Sequence, residues 1–245
     1  MKPIVIANWK LNPQSQREVK DLFNALKEGL EGMKGVETVI CPPFVYLAEL
    51  QAINKGLLLG GQDCFWEEGG AFTGEISATQ LRDLGCEYVI IGHSERRHYF
   101  GETGAVINKK IKAALRTGLK VIFCVGETQA EHDQGEVQKI VAQQLQQGLE
   151  GVAENQLKNI LVAYEPVWAI GSGNACSSQE AQEIGQFLKE IIQKLYSQEV
   201  AVLYGGSVTS ENAKDYIAQG KINGLLVGGA SLVADEFVKI IKSIA

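Results

Sequence analysis

Lys120-Val121-Ile122-Phe123-Cys124-Val125, followed by the amphipathic segment Gln129 to Leu149, shows the sequence pattern from which the fold can be predicted. A short, continuous apolar run is typical of a strand that is buried on both faces of a parallel sheet. The amphipathic segment after it predicts a helix that covers the sheet with its apolar face. Together they make one β-then-α unit.

The same unit recurs eight times along the chain. The apolar runs that predict strands are Ile4 to Trp9, Thr38 to Ile40, Leu57 to Gly60, Tyr88 to Gly92, Lys120 to Val125, Asn159 to Ala163, Val200 to Tyr204 and Gly224 to Val227. Amphipathic segments between or after them include Gln14 to Leu30, Ala105 to Leu115, Gln129 to Leu149, Gln179 to Tyr196 and Ser231 to Ile244. Without a linker or a composition break, they predict one α/β domain over residues 1–245, a closed (β/α)8 barrel. The alternative is an open doubly wound sheet, which often carries G-x-G-x-x-G after its first strand, where Asn8-Trp9-Lys10 stands here.

Composition narrows the class of protein. The 245 residues are 45% hydrophobic and 21% charged, as in an ordinary globular domain whose core needs no disulfide or metal. The net charge of −6 argues against a nucleic acid or an acidic membrane as partner. The five cysteines are odd in number and form no C-x-x-C pair, which favours a reduced, cytoplasmic location. The three histidines show no H-E-x-x-H spacing, which argues against a zinc site. The N-terminal residues do not have the pattern of a signal peptide, so we expect none. No apolar run approaches the length needed to span a membrane.

Polar residues and glycines follow several of the predicted strands. In a parallel barrel the strand ends converge on one mouth, where chemistry is built. Taken singly, Lys10 fits a solvated charge, His93 a half-buried histidine and the glycine pairs simple turns. Together, an amine, an imidazole, a carboxylate and two glycine-rich turns at one rim have the composition of an active site. These residues are Asn8 and Lys10 after strand one, His93 and Glu95 after strand four, Glu165 after strand six, Gly205-Gly206-Ser207 after strand seven and Gly228-Gly229 after strand eight.

Glu165 is the candidate base. It follows a buried strand, and Pro166 ends the strand pattern by fixing φ and removing a donor. The stretch from there to Gly173 has the composition of a lid that swings, and a base beside a mobile flap is what proton abstraction next to a carbonyl requires. The alternative is a surface glutamate before a turn.

The two glycine turns suggest the ligand. Glycine lets the backbone approach an anion, and helices predicted to begin near Thr209 and Ser231 would direct free N–H groups toward it. Loops after strands seven and eight of such barrels commonly hold phosphate. The ligand expected here is therefore a small phosphate ester with a carbonyl group.

Long motifs in one order then match a known family over nearly the whole chain. They are Ala7-Asn8-Trp9-Lys10, Ile91-Gly92-His93-Ser94-Glu95-Arg96-Arg97, Ala163-Tyr164-Glu165-Pro166-Val167-Trp168, Tyr204-Gly205-Gly206-Ser207-Val208 and Leu226-Val227-Gly228-Gly229-Ala230-Ser231. The chain resembles the triosephosphate isomerases, which are TIM barrels. The resemblance implies interconversion of dihydroxyacetone phosphate and glyceraldehyde 3-phosphate, in glycolysis and gluconeogenesis, without a cofactor or metal.

The resemblance also implies roles for individual residues. Glu165 would be the base, His93 a neutral electrophile and proton shuttle, and Lys10 the electrostatic stabiliser of the enediolate. Asn8 would fix substrate oxygens and Glu95 would position Lys10. Phosphate would be bound by Gly171, Ser207, Gly228 and Gly229, under a lid from Pro166 to Cys176 in which Trp168 packs near Glu127 and which Tyr204 and Ser207 hold closed.

The glycine-rich segment Gly69 to Glu75 would mediate association. By resemblance it docks into a second subunit of a homodimer, placing Thr73 near the active site of the partner and Glu75 near Arg96 of the partner subunit. The alternative is a loop tucked onto its own barrel. Some positions depart from the residues usual in the family. His132 stands for Arg, Asn174 for Lys, and Lys189 with Lys221 for an Arg–Asp pair. Asp63 stands for Asn near the expected interface, and its carboxylate could make the stability of the dimer depend on pH.

Two rival functions stay open from the sequence. A barrel aldolase would need a Schiff-base lysine inside the barrel, and no suitable lysine ends strand six. A catalytically inactive barrel kept for interaction should have lost at least one of Lys10, His93 and Glu165, and all three are present.

Overall fold

The computed structural model describes residues 2–54, 56–171 and 175–245. Eight parallel strands form a closed barrel in sequence order, which confirms the predicted fold. The last strand pairs with the first, with Ile4 opposite Gly224, so the sheet has no open edge. The strands are β1 (Ile4–Asn8), β2 (Glu37–Cys41), β3 (Leu58–Gly61), β4 (Tyr88–Ile91), β5 (Lys120–Val125), β6 (Ile160–Tyr164), β7 (Ala201–Tyr204) and β8 (Gly224–Val227).

Ten described α-helices surround or cap the barrel. Serine and threonine side chains cap several of them; Ser177, for example, accepts the Glu180 N–H at the start of the longest helix. The helices are α1 (Gln16–Gly29), α2 (Leu47–Ile53), α3 (Ala78–Asp83), α4 (Ser94–Tyr99), α5 (Gly104–Arg116), α6 (Gln129–Asp133), α7 (Val137–Leu149), α8 (Ser178–Tyr196), α9 (Ala213–Ile217) and α10 (Ala234–Ser243).

Three helix predictions need correction. The segment Gln129 to Leu149 is two helices, α6 and α7, because Gly135 adopts a φ of 70° and turns the chain between them. No helix begins near Thr209, whose N–H bonds the Asn212 side chain in a turn, and α9 begins at Ala213. After β8 the chain forms a 3-10 helix, Gly229–Leu232, before α10 begins at Ala234.

Alternating side chains on each strand fill two apolar layers. On β5, Ile122 and Cys124 belong to the cluster inside the barrel, whereas Val121, Phe123 and Val125 pack against the helices. Both faces are therefore buried, which explains why the strands appear in the sequence as continuous apolar runs.

The structure also describes the cysteines and the Lys189–Lys221 pair that the sequence analysis singled out. All five cysteines are buried and free. Lys189 donates to the Gly220 carbonyl at 3.2 Å. Burial is the main cause that lowers its pKa, and the like charge of Lys221 lowers it further, as expected of two lysines that cannot form a salt bridge. In residues 2–54, 56–171 and 175–245 no helix has the length and apolarity to cross a membrane, and no cluster of three or more His, Cys, Asp and Glu side chains is placed to hold a metal ion.

Candidate active site

A cavity of about 370 Å³ lies at the carboxyl ends of the strands. This volume suits a small ligand, and the barrel mouth is where such ligands bind. Glu95 lies beside the cavity and reaches it through Lys10. The other predicted site residues all line it: Asn8, Lys10, His93, Glu165, Gly171, Ser207, Gly228 and Gly229.

Glu165 is placed by the end of β6 and is 2% exposed. Its Oε1 lies 3.2 Å from His93 Nε2, and its Oε2 accepts the Ser94 N–H at 3.1 Å. Both carboxylate oxygens are therefore directed and polarised by the chain that follows β4. Sequence reasoning missed Gly126, where a Cβ would lie 1.8 Å from the Glu165 carbonyl oxygen.

His93 is held in a single tautomer. Its Nδ1 accepts the Glu95 N–H at 3.2 Å, so Nδ1 carries no proton and the proton of the neutral ring is on Nε2, which faces Glu165. Gly92, with a φ of 73°, makes the turn that delivers the ring. Arg97 fixes this turn, donating to the Gly92 and Cys124 carbonyls at 2.8 Å each, and burial lowers its pKa. The motif around His93 contains Arg97 but indicates no role for it.

Lys10 has a strained backbone. Its φ is 53°, a conformation that costs a non-glycine residue about 1 kcal/mol or more and that persists only where neighbours hold it. Asn8 Oδ1 accepts its N–H at 3.1 Å, and Gln62 donates to its carbonyl at 2.8 Å. The ammonium lies 2.6 Å from Glu95 Oε1. Gln62, which sequence reasoning missed, also bonds the Cys41 carbonyl and so fixes Lys10 to the end of β2.

The opposite side of the cavity is formed by backbone. The 3-10 helix Gly229–Leu232 begins at this wall, and the first N–H groups of a helix have no partner within it. A Cβ on Gly228 would lie 3.3 Å from Lys10 Cε, so a small residue suits that position. Asn212, also missed, lines the cavity and donates to the Ser207 carbonyl at 3.2 Å. The free backbone N–H groups at the start of the 3-10 helix can hold an anion.

The segment Pro166 to Cys176 is described at its two ends, and its residues 172–174, including Asn174, lie outside the described residues. At the first end, Trp168 Nε1 donates to Glu127 Oε1 at 2.8 Å, and Ser207 Oγ donates to the Ala169 carbonyl at 2.7 Å. At the other end the Cys176 carbonyl accepts from Tyr216.

The Tyr204 ring lies beneath this segment and contributes by stacking. Its centroid is 4.0 Å from that of Tyr216, at an interplanar angle of 14°. Its hydroxyl makes no hydrogen bond to any described residue. Among the described residues it is therefore Tyr216, which no sequence motif singled out, and not Tyr204 that donates a hydrogen bond to Cys176.

The fold and this cavity define a (β/α)8-barrel enzyme that moves protons on a small phosphorylated carbonyl compound. A carboxyl, an imidazole and an amine side chain face one space, and glycine-rich backbone lines it on the other side.

Comparisons with known proteins identify the particular family. The profile described as "Triosephosphate isomerase" matches residues 3–244. Triosephosphate isomerases of Geotalea uraniireducens and Moorella thermoacetica are each 46% identical to the chain, with 98% of either chain covered. The crystal structure of triosephosphate isomerase from Bartonella henselae superimposes with a TM-score of 0.89 at 35% identity, covering 99% of both chains. The chain belongs to the triosephosphate isomerase family.

The activity follows from the family. The chain is an isomerase that interconverts dihydroxyacetone phosphate and glyceraldehyde 3-phosphate, a step of glycolysis. The aldolase and the inactive interaction barrel are both set aside by this finding.

Proposed function

We propose that Glu165, His93 and Lys10 carry out the isomerisation in the cavity at the barrel mouth. One observation carries the proposal: the three side chains line the same cavity of about 370 Å³, with Glu165 Oε1 only 3.2 Å from His93 Nε2. A three-carbon phosphate in that space contacts the base and the donor together.

Glu165 removes a proton from the carbon next to the carbonyl. The C–H electron pair forms the C=C bond of the enediolate, and the carbonyl π electrons move to oxygen. The carboxylate then returns the proton to the neighbouring carbon. Its burial excludes bulk water from the exchange, and the Ser94 N–H holds it until substrate arrives.

His93 acts as the neutral acid. Because Nδ1 is occupied by the Glu95 N–H, the ring presents Nε2–H to the substrate oxygens. Nε2 gives its proton to one oxygen and takes the proton of the other, so the ring ends the cycle in its starting form. The Lys10 ammonium, held by Glu95, stabilises the negative charge that develops on these oxygens. Asn8, which bonds the Lys10 backbone, fixes the oxygens at the same wall.

Gly171, Ser207, Gly228 and Gly229 bind the phosphate, largely through backbone N–H groups. The segment Pro166 to Cys176 covers it as a lid. Covering has a chemical purpose, because an enediolate beside a phosphate ester can expel phosphate before it is reprotonated. Closure excludes water and holds the leaving group in an unfavourable geometry.

Exposed apolar side chains support a homodimer through the loop Gly69 to Glu75. Among the described residues, five of the seven large apolar side chains that are exposed follow four consecutive strands, β1 to β4. Such clustering is typical of an interface. These side chains are Leu11, Val45, Phe72, Tyr99 and Phe100. The five free, buried thiols support a cytoplasmic location.

A coupled assay in both directions tests the proposed roles. We expect Lys10→Met and His93→Gln each to lower kcat/KM by about a hundredfold or more, as loss of an oxyanion-stabilising donor does. Phosphoglycolate should inhibit the wild type competitively, and His93→Gln should still bind it. Wild-type kcat/KM in either variant would reject that residue's role.

A further inference from the structure

His132 contacts Trp168 near the start of the lid segment and Glu180 just beyond its end. Its Nε2 lies 2.9 Å from Oε1 of Glu180, in the first turn of α8, just after the lid. Its ring centroid lies 4.6 Å from that of Trp168, near the start of the lid, at an interplanar angle of 52°. A single side chain of α6 thus joins the first part of the lid to the helix that follows the lid.

The Trp168 ring is held on its other side by Glu127. This carboxylate is completely buried; its Oε1 accepts from Trp168 Nε1 at 2.8 Å and from the Tyr164 hydroxyl at 3.1 Å. Its Oε2 has no hydrogen-bond partner among the described residues. Burial raises the pKa of Glu127, and the hydrogen bonds and His132 oppose that rise. A cation beside Trp168 therefore also favours the ionised form of this carboxylate.

Negative groups face His132 from each neighbouring element. Glu180 approaches from α8, Glu127 from the loop after β5, and Asp133 Oδ1 lies 3.8 Å from Nδ1 on α6 itself. The bond with Glu180 is the largest cause of a raised His132 pKa, and partial burial opposes it. The imidazolium is consequently the favoured form over more of the neutral range than for an isolated histidine.

We propose that His132 is a positioning residue for the lid: as the imidazolium it joins Trp168 at one end to Glu180 at the other, so that lid placement, and through it turnover, depends on its protonation. The proposal rests on the lid function proposed above. The cation adds an ion pair with Glu180 and a charge–ring contact with Trp168, whereas the neutral ring keeps at most a hydrogen bond to Glu180. The ion pair with Glu180 and the charge–ring contact with Trp168 are present at low pH and are lost as pH rises through the pKa of His132.

The first test measures whether the environment of Trp168 changes with the protonation of His132, and it does not depend on activity. The chain has three histidines and three tryptophans, so proton NMR of the histidine rings and fluorine NMR of 5-fluorotryptophan-labelled protein are both simple. Trp168→Phe assigns the Trp168 resonance. We expect that resonance to titrate with the same midpoint as His132, and Glu180→Gln to lower both midpoints together. Glu183→Gln is the matched control, because it removes the same charge from an exposed site on the next turn of α8 and should leave both midpoints unchanged.

The second test is the ratio of kcat/KM between wild type and His132→Gln at each pH, which cancels titration of the substrate phosphate. We expect the ratio to be about two- to fivefold at low pH and to fall toward one with the NMR midpoint, as suits one partly exposed ion pair. His132→Arg, a permanent cation, should hold the low-pH value at every pH.

The two tests separate the proposals. A Trp168 resonance that ignores His132, or a pH-independent ratio, overturns the positioning role even in an active enzyme. Failure of the proposed catalytic roles would leave the titration of Trp168 in place. Glu180→Gln keeps the proposal testable if substitutions at His132 do not fold.

Discussion

The Nζ atom of Lys10 lies 2.6 Å from Oε1 of Glu95, although 85 residues separate them in the chain. The contact joins the loop after β1 to helix α4. The same Glu95 donates its backbone N–H to His93, so one residue orders both the ammonium and the imidazole.

Glu95→Gln separates these two functions, because only the side chain changes. Lys10 loses its ionic partner while the bond to His93 remains. We expect kcat/KM to fall about three- to tenfold, since both groups are partly exposed and solvent weakens the pair. Steady-state kinetics measures this. Unchanged kinetics in Glu95→Gln would show that Lys10 is positioned by its backbone bonds alone.

Glu165→Asp retracts the proposed base by one methylene. A displacement of about 1 Å costs about a hundredfold in rate, so we expect that loss in kcat. Phosphoglycolate affinity should stay near the wild-type value, because the proposed phosphate-binding groups lie on the opposite wall. Near-normal turnover would reject Glu165 as the base.

Gly126 and Gly205 both press against Glu165, but at different atoms. A Cβ on Gly126 would lie 1.8 Å from the backbone oxygen of Glu165, whereas one on Gly205 would lie 2.9 Å from Cγ of its side chain, which can rotate where the backbone cannot. We expect Gly126→Ala to lower the free energy of unfolding by about 3 kcal/mol. Gly205→Ala should instead keep its Tm and lose kcat, about a hundredfold if the carboxylate moves by about 1 Å. Thermal unfolding and kinetics on the two variants decide whether this contrast holds.

Asp63 belongs to a buried cluster of four charges. It lies 2.6 Å from Lys110 Nζ and 3.0 Å from Arg96 Nε, and Glu102 contacts the same two cations. Burial outweighs these partners and raises the pKa of Asp63 to about 6. Because the pKa is higher in the folded protein, the contribution of Asp63 to stability is complete below about pH 4 and is lost as pH rises through about 6.

Asp63→Asn should remove this pH dependence. Relative to the variant, we expect the wild type to lose about 1–3 kcal/mol of unfolding free energy between pH 4 and 7. Glu102→Gln is a control of opposite sign: burial opposes ionisation there, but Lys110 and Arg96 hold its pKa below the ordinary value, so its contribution is lost as pH falls. Urea unfolding over this range for Asp63→Asn, and extended to lower pH for Glu102→Gln, measures both effects, and parallel curves for wild type and Asp63→Asn would contradict the assignment. Sedimentation of wild type and Asp63→Asn over the same range extends the comparison to the proposed dimer.

Phe72 tests the proposed dimer. It is 43% exposed and packs on Phe65 at 4.7 Å, so Phe72→Asp places a charge at the proposed interface with little effect on the core. We expect the sedimenting mass to halve at micromolar protein. Leu195→Asp, at an exposed apolar site on α8 far along the chain from this loop, should leave the mass unchanged. A fully active wild-type monomer would refute the dimer.

Much of the fold was predictable because its determinants are local. The two-sided burial of β5 appears directly as a run of apolar residues, and the motif around Glu165 marks the end of β6. Boundaries were less certain: Gly135 divided one predicted helix into two, and the turn at Thr209 replaced a predicted helix start. A glycine with positive φ and a side-chain–backbone bond override helical periodicity, and neither is visible in periodicity itself.

The supporting contacts of the site were not predictable in the same way. Gln62 and Gly126 lie in none of the quoted motifs, and Arg97 lies in one that assigns it no role; each contacts a residue distant in sequence. Asp63 and His132 stand out in the sequence only as departures from a family pattern. Their partners, Lys110 and Glu180, are distant in sequence and contact them because the fold packs α5 beside the end of β3 and α8 beside α6.

From the order of its residues alone, this chain determines a barrel of eight repeating units and the kinds of side chain at each strand end, because periodicity and sequence position are properties of the unfolded chain. Which atoms meet depended on the packed fold: the tautomer of His93, the strained φ of Lys10 and the contacts of His132 with Trp168 and Glu180. Those depend on distances across a closed sheet, which are set when eight strands and their helices pack at the same time.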